Sequence, residues 1–141
     1  MIILDTDHVN VLQKPEHSQY ANLSAKMKES ADPIFATTVI SVEEQMRGWL
    51  AAIHRSRKVH NQILYYARLV GMIRFFGEWR ILPFNDPAAD RFEVLRKQRI
   101  RIGTMDLKIA AIALANDSLL LSANLRDFQA VPGLRVEDWL H

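Results

Sequence analysis

Where the first apolar run of the chain stops, two aspartates stand one residue apart: Ile2, Ile3 and Leu4 lead into Asp5, Thr6 and Asp7. Ending a buried strand in charge is costly unless something pairs with it. Asp7 has a local use as the N-cap of a following helix, whereas Asp5 has none. Further along, Glu43 and Glu44 follow Ser41, Asp106 opens a stretch of small residues, and Asn124 and Asp127 follow another apolar run. Carboxylates gathered within a few ångströms repel and raise one another's pKa unless a cation neutralises them. All-oxygen ligands without Cys or His select a hard ion, Mg²⁺ or Mn²⁺. Mg²⁺ keeps several waters and meets phosphate oxygens, so such a set suits phosphodiester hydrolysis by a metal-activated water.

The elements that would carry these residues alternate in type. Residues 2–5 read as a strand, 7–13 as a short helix, 18–30 as a second helix and 34–39 as a strand rich in β-branched residues. Residues 41–53 place Val42, Met46, Trp49, Leu50 and Ile53 at helical spacing, and a helix follows over 60–76. Arg80, Ile81 and Leu82 form a short strand, and a helix starts after Asp86-Pro87 with Asp86 as N-cap. A helix over 104–116, a strand over 118–123 and an edge strand over 134–136 complete the chain. Strands alternating with helices predict a mainly parallel sheet of four to five short strands covered on both faces, a three-layer α/β/α fold. Ligands of such sheets sit outside the carboxyl ends of the strands, where Asp5, Glu43, Glu44, Asn124 and Asp127 would stand.

Within the 104–116 helix, Asp106 shares a face with Ile109, Ala110, Ala113 and Leu114, so it faces the core rather than solvent. A first-turn aspartate also suits the helix dipole, but a surface position would serve that purpose equally. Ser41 and Glu44 fit a capping box, which is a structural use for Glu44, and the helical wheel turns Glu43 rather than Glu44 to the apolar face. Asn124 and Asp127 have turn and cap readings of their own.

At 141 residues with 49% hydrophobic and 24% charged, the chain is expected to form one domain, residues 1–141, with a core of its own. No repeat or low-complexity tract interrupts it. The absence of cysteine excludes a disulfide framework and a zinc–thiolate site and fits a reducing cytoplasm. No apolar run approaches the ~18 residues of a membrane span, and the first is too short for a signal peptide. The expected protein is soluble, cytoplasmic and without membrane partners. The formal charge is only +2, yet the basic residues cluster: His54, Arg55, Arg57, Lys58 and His60 in one group, Arg96, Lys97, Arg99 and Arg101 in another. Solvated helix ends explain such groups; contact with a phosphate backbone is the functional alternative.

Five segments in order, ILDTDHV (3–9), ISVEEQMRG (40–48), ILPFND (81–86), IGTMDLKIAAIALA (102–115) and LLSANLRDFQAVPGLRVEDW (120–139), resemble the PIN-domain family, and within it the ribonuclease toxins of VapBC-type toxin–antitoxin pairs. The resemblance runs along nearly the whole chain. It implies a PIN-like three-layer fold, Mg²⁺-dependent endoribonuclease activity with Mn²⁺ as a substitute, homodimerisation, and inhibition by a cognate VapB-type antitoxin whose C-terminal segment fills the acidic groove. Residue by residue, the family's first acid matches Asp5. Its helix glutamate, three residues after Ser or Thr and four before Gly, matches Glu44 and leaves Glu43 as the fallback. Its third acid matches Asp106. At the fourth position many members carry an aspartate where this chain has Asn124. Asparagine offers a neutral oxygen and one charge fewer, and Asp127 can compensate. The resemblance thus implies Asp5, Glu44, Asp106 and Asp127 as catalytic, with Asp5, Glu44, Asp106 and Asn124 holding metal. Thr6, Asp7, Ser122 and Glu43 would support them, and Arg47, Arg96, Lys97, Arg99 and Arg101 would contact RNA. His8 is expected to pack or cap rather than act as a base.

Two other readings share these residues. A haloacid-dehalogenase-type phosphatase also ends its first strand in Asp-x-Asp, with Asp5 as nucleophile and Asp7 as acid/base, but it wants a late Gly-Asp-rich metal motif that is missing here. A catalytically inactive PIN-like binding module would keep the fold without the chemistry, and Asn124 is the residue that favours it.

Overall fold

Three strands buried on both faces set the frame: β1 (Ile2–Leu4), β2 (Phe35–Thr38) and β4 (Leu119–Leu121). Two two-residue edge strands, β3 (Ile81–Leu82) and β5 (Val136–Glu137), complete an all-parallel sheet in the order β3-β2-β1-β4-β5. The computed structural model describes residues 1–141. Ile3 lies opposite Ala36 on one side and Leu120 on the other, and all three are fully buried. Short Ile/Leu runs of this kind are what parallel strands require, since both faces must be covered.

The cover is helical. Helices α5 (Asp86–Lys97) and α6 (Thr104–Ala115) pack with Ile3, Ala36 and Leu120 on one face. The opposite face, Ile2, Leu4 and Leu121, meets Val9 of α1 (Thr6–Leu12) and Met72 and Phe76 of α4 (Val59–Gly77). Helices α2 (Tyr20–Glu29), α3 (Val39–Arg55) and the four-residue α7 (Leu125–Phe128) fill the remaining connections. The expected α/β/α layering and strand count hold. No helix is long and apolar enough to cross a membrane.

Several boundaries differ from the sequence reading: the last strand is Val136–Glu137 rather than 134–136, and three helix starts shift for reasons of capping. Helix α3 begins at Val39, not Ser41: Thr38 ends β2 in extended conformation and its hydroxyl oxygen accepts the Ser41 N–H at 3.2 Å. Ser41 is therefore buried inside the first turn, and the capping box that would have occupied Glu44 does not form. Asn85, rather than Asp86, caps α5 by accepting the Ala88 N–H at 3.2 Å. Asp5, rather than Asp7, caps α1, accepting the Thr6 N–H at 2.7 Å. Helix α6 is buried almost all round, with Leu107 buried and Ile109 through Ala113 each inaccessible, so the single apolar face drawn from its sequence is too narrow. Its alanines let it lie close to the sheet and to α5 at once.

Strand order places the site. From β1 the chain builds outward through β2 and β3, then crosses to β4 and β5 on the other side of β1. Neighbouring strands that depart in opposite directions leave a crevice at their carboxyl ends. Asp5 follows β1 and Ser122 follows β4 at that crevice.

Candidate metal centre

Three carboxylates from distant parts of the chain meet at the crevice. Each of Asp5, Glu44 and Asp106 offers one carboxylate oxygen, and the three oxygens lie within 4.8 Å of one another. Asp5 is delivered by the end of β1, Glu44 by the second turn of α3 and Asp106 by the first turn of α6. Asp5 is buried, and the other two are half-buried. None of the three is paired with a cationic side chain.

The cluster is electrostatically unfavourable as it stands. Burial, reinforced by the neighbouring Asp7 carboxylate, pushes Asp5 up to about 7, against hydrogen bonds from Ser122 and the Thr6 amide that lower it. Burial and then Asp106 raise Glu44, with the Thr6 hydroxyl opposing. Burial raises Asp106 as well, with the Asn124 amide opposing and Asp127 and Asp7 adding to the rise. A divalent cation would remove the desolvation and the repulsion together. The donor set fits a hard ion, since it is all oxygen and anionic, with an open side.

Hydrogen bonds fix the orientation of these groups. On Asp5, Oδ1 accepts the Thr6 amide and Oδ2 accepts the Ser122 hydroxyl at 2.8 Å. The Thr6 hydroxyl lies 3.0 Å from Ser41 Oγ and 3.5 Å from Glu44 Oε1, tying α1 to α3. Thr6 and Ser122 thus both hydrogen-bond to the clustered carboxylates. Ser41 is an addition that sequence reasoning saw only as a cap.

Asp7 does a different job from the one its spacing suggests. Its Oδ2 accepts the Ala123 N–H at 2.8 Å, and its Oδ1 lies 2.6 Å from His8 Nδ1. His8 is fully buried, and its Nε2 accepts the Trp139 N–H at 3.2 Å, so Nδ1 carries the proton that Asp7 receives. Asp7 and His8 therefore pin the end of β4 and the C-terminal segment to α1. With both its oxygens engaged, Asp7 is not the free acid/base that the phosphatase reading requires. Nothing in the local sequence announces this link, because Asp7 and Ala123 are 116 positions apart.

At the fourth position Asn124 presents its amide nitrogen, not its oxygen. Nδ2 donates to Asp106 Oδ2 at 3.2 Å and to Asp127 Oδ2 at 3.1 Å. Asn124 thereby bridges Asp127 to the cluster, while Asp127 itself stands outside the group of three. Glu43 does not join the site. It pairs with Arg47 one turn along α3 at 2.6 Å, which also occupies one of the expected RNA contacts. Arg96 pairs with Glu93 and lies over the Phe92 ring. Lys97 at the end of α5, and Arg99 and Arg101 on the segment that leads into α6, are exposed and unpaired.

No family model matches the chain. Among curated proteins it is 50% identical to Ribonuclease VapC1 of Rickettsia felis over 42 residues, 30% of this chain and 31% of that protein. It is 32% identical to the tRNA(fMet)-specific endonuclease VapC of Salmonella typhimurium over 69 residues, 46% of this chain and 52% of that protein. The chain thus spans about half or less of the length of the curated relatives it matches. The solved structure of VapBC-1 from nontypeable Haemophilus influenzae superposes over 100% of both chains with a TM-score of 0.75 at 22% identity. The chain thus shares its fold along its whole length with the VapBC-1 structure, and shorter stretches of its sequence with two curated VapC nucleases.

Proposed function

We propose that the protein is a Mg²⁺-dependent endoribonuclease acting as the toxin of a toxin–antitoxin pair. The observation that carries this reading is the convergence of Asp5, Glu44 and Asp106 within 4.8 Å at the sheet switch point with no side-chain cation to balance them. The two curated relatives, named a ribonuclease and an endonuclease, support the substrate class. VapBC-1, a fold relative, supports a VapB-type antitoxin as the partner.

Asp5, Glu44 and Asp106 would hold one or two Mg²⁺ ions, with Asn124 turning its amide oxygen inward as a neutral ligand. Bound there, the metal would lower the pKa of a water and offset charge on the phosphoryl group. The protein supplies the rest. Thr6 N–H and Ser122 Oγ hold the Asp5 carboxylate in one orientation, so that it need not reorganise when metal and phosphate arrive. The Thr6 hydroxyl does the same for Glu44. Asp127, linked through Asn124, adds negative potential and would help orient a water on the Asp106 side. Lys97, Arg99 and Arg101 would meet the RNA backbone, with Arg47 and Arg96 contributing once released from their carboxylate partners. No histidine is needed as base, since His8 is fully buried.

Homodimerisation would cover the exposed apolar residues Val59, Ile63, Tyr66, Val70 and Ile73, which recur at helical spacing along α4. The site of action would be the cytoplasm. A binding module without hydrolysis is the second reading, favoured by the uncharged Asn124 at a position where an additional carboxylate would strengthen the metal site.

The reading is tested by incubating total RNA with the protein in Mg²⁺ and in excess chelator. Discrete cleavage products in Mg²⁺ and intact RNA in chelator are expected. Equal cleavage in both would remove the metal from the account, and intact RNA in both would leave the binding module.

A further inference from the structure

Beside the acidic cluster, and sharing Thr6 and Glu44 with it, a trough of about 730 Å³ runs between α3 and α4. Three aromatic rings line it, Trp49 from α3 and Tyr65 and Phe75 from α4; the Trp49 and Tyr65 centroids are 6.3 Å apart with planes tilted by 31°. Three exposed cations border it: Lys14 after α1, Arg55 at the end of α3 and Arg68 on α4. None of the three is in an ion pair. Against them the lining offers a single carboxylate, Glu44, at the metal end. Gly48 and Gly71 also line it, and an added Cβ at either would meet nothing within 4 Å, so each faces open space.

We infer that this trough is a subsite for single-stranded RNA, seating the nucleotides next to the scissile phosphate. The inference rests on the nuclease reading and adds to it which surface takes the substrate and in what form. Aromatic faces stack on unpaired bases of any sequence, and unpaired cations at intervals track a phosphate backbone. Glu44 and Arg55 are eleven residues apart on one helix, about 16 Å along its axis, which gives room for a short run of nucleotides. A paired helix buries its base faces and could not use the rings. An uncharged apolar partner would leave the three cations without a counterpart, so charge complementarity favours the polyanion.

The test measures binding of a fluorescein-labelled single-stranded RNA of about ten nucleotides, and of the same strand in duplex, by fluorescence polarisation in Mg²⁺. Asp106→Asn serves as the non-cleaving parent. Gly71→Leu fills the trough from an open helical position and is expected to weaken single-strand binding at least tenfold while leaving the fold intact. Tyr65→Leu is expected to cost about tenfold through lost stacking, and Tyr65→Phe to restore it. Arg68→Ala is expected to lower the slope of log affinity against log salt by about 0.7, a readout that a purely structural role would not move. Duplex RNA is expected to bind more weakly and to be indifferent to Tyr65→Leu. Absence of binding by the parent, or single-strand affinity and salt slope unchanged in all three trough variants, overturns the inference. If RNA is still cleaved by the otherwise wild-type protein in that case, the nuclease reading stands and the trough is left to a protein partner. Trough-dependent binding with no cleavage in Mg²⁺ would instead keep the subsite and remove the nuclease.

Discussion

Free of metal, Asp5→Asn is expected to be at least as stable as the wild type near neutral pH, while losing RNA cleavage by a factor of at least about a hundred. Both halves follow from one buried group. Asparagine can keep the two bonds that hold Asp5, its oxygen accepting the Thr6 amide and its nitrogen donating to Ser122 Oγ. It removes the charge that burial and Asp7 make costly. The pH dependence has a definite sign. With Asp5 raised from 3.8 to about 7, the folded state holds a proton that the unfolded state has released between those values. Wild-type stability without metal therefore falls as pH rises from about 4 to about 7. The loss is at most about 4 kcal/mol, the shift taken at about 1.36 kcal/mol per pKa unit. Asp5→Asn lacks that loss. Adding Mg²⁺ at neutral pH should raise the wild-type melting temperature, because only the folded state gathers the three carboxylates, and should leave that of Asp5→Asn unmoved. Calorimetric melts across the pH range, with and without Mg²⁺, check each part. A variant less stable than the wild type at neutral pH would mean that Asp5 is a structural charge.

Phe128→Ala is expected to cost about 3–5 kcal/mol, the usual loss for deleting a buried aromatic ring. Phe128 is the largest fully buried side chain in the molecule and sits in the core beneath α5 and α6. Against a total of roughly 5–15 kcal/mol this is a substantial fraction of the stability. The second consequence is local. Helix α7 has four residues and cannot hold itself; Phe128 is its anchor, and Asp127 is its neighbour. Loosening α7 should release the Asn124 bridge between Asp106 and Asp127 and weaken metal binding in whatever fraction stays folded. Chemical denaturation measures the first effect, and Mg²⁺-dependent stabilisation the second. A loss below about 1 kcal/mol would mean that α7 is held by other contacts.

Two of the three clustered carboxylates were readable in the sequence, Asp5 because strand ends are readable. A run such as Ile2-Ile3-Leu4 stopping at Asp5 announces a charge beside the core, and the α/β alternation says at which sheet edge it lies. Asp106 was legible from its helical face. Glu44 was not. The wheel favoured Glu43 because Met46 and Leu50 look like core residues, yet both are exposed. The S-x-x-E capping signal concealed that the helix had already begun at Val39 under a threonine cap. Family resemblance, not periodicity, put the glutamate in its place. The bonds from Asp7 to Ala123, from His8 to Trp139 and from Ser122 to Asp5 join positions more than a hundred residues apart, and no local pattern encodes them. Lys14 and Arg68 carry no motif either. Gly48 and Gly71, which line the trough, look in sequence like ordinary helix defects.

The central claim is that Asp5, Glu44 and Asp106 are one metal site. Its most direct test is Mn²⁺ uptake at neutral pH, followed by the loss of the free-ion electron paramagnetic resonance signal on titration with wild type, Asp106→Asn and Glu43→Gln. The account predicts saturable uptake by the wild type and by Glu43→Gln, displaced by excess Mg²⁺, and uptake weakened at least tenfold in Asp106→Asn. Equal uptake by all three proteins, or none by the wild type, would contradict it.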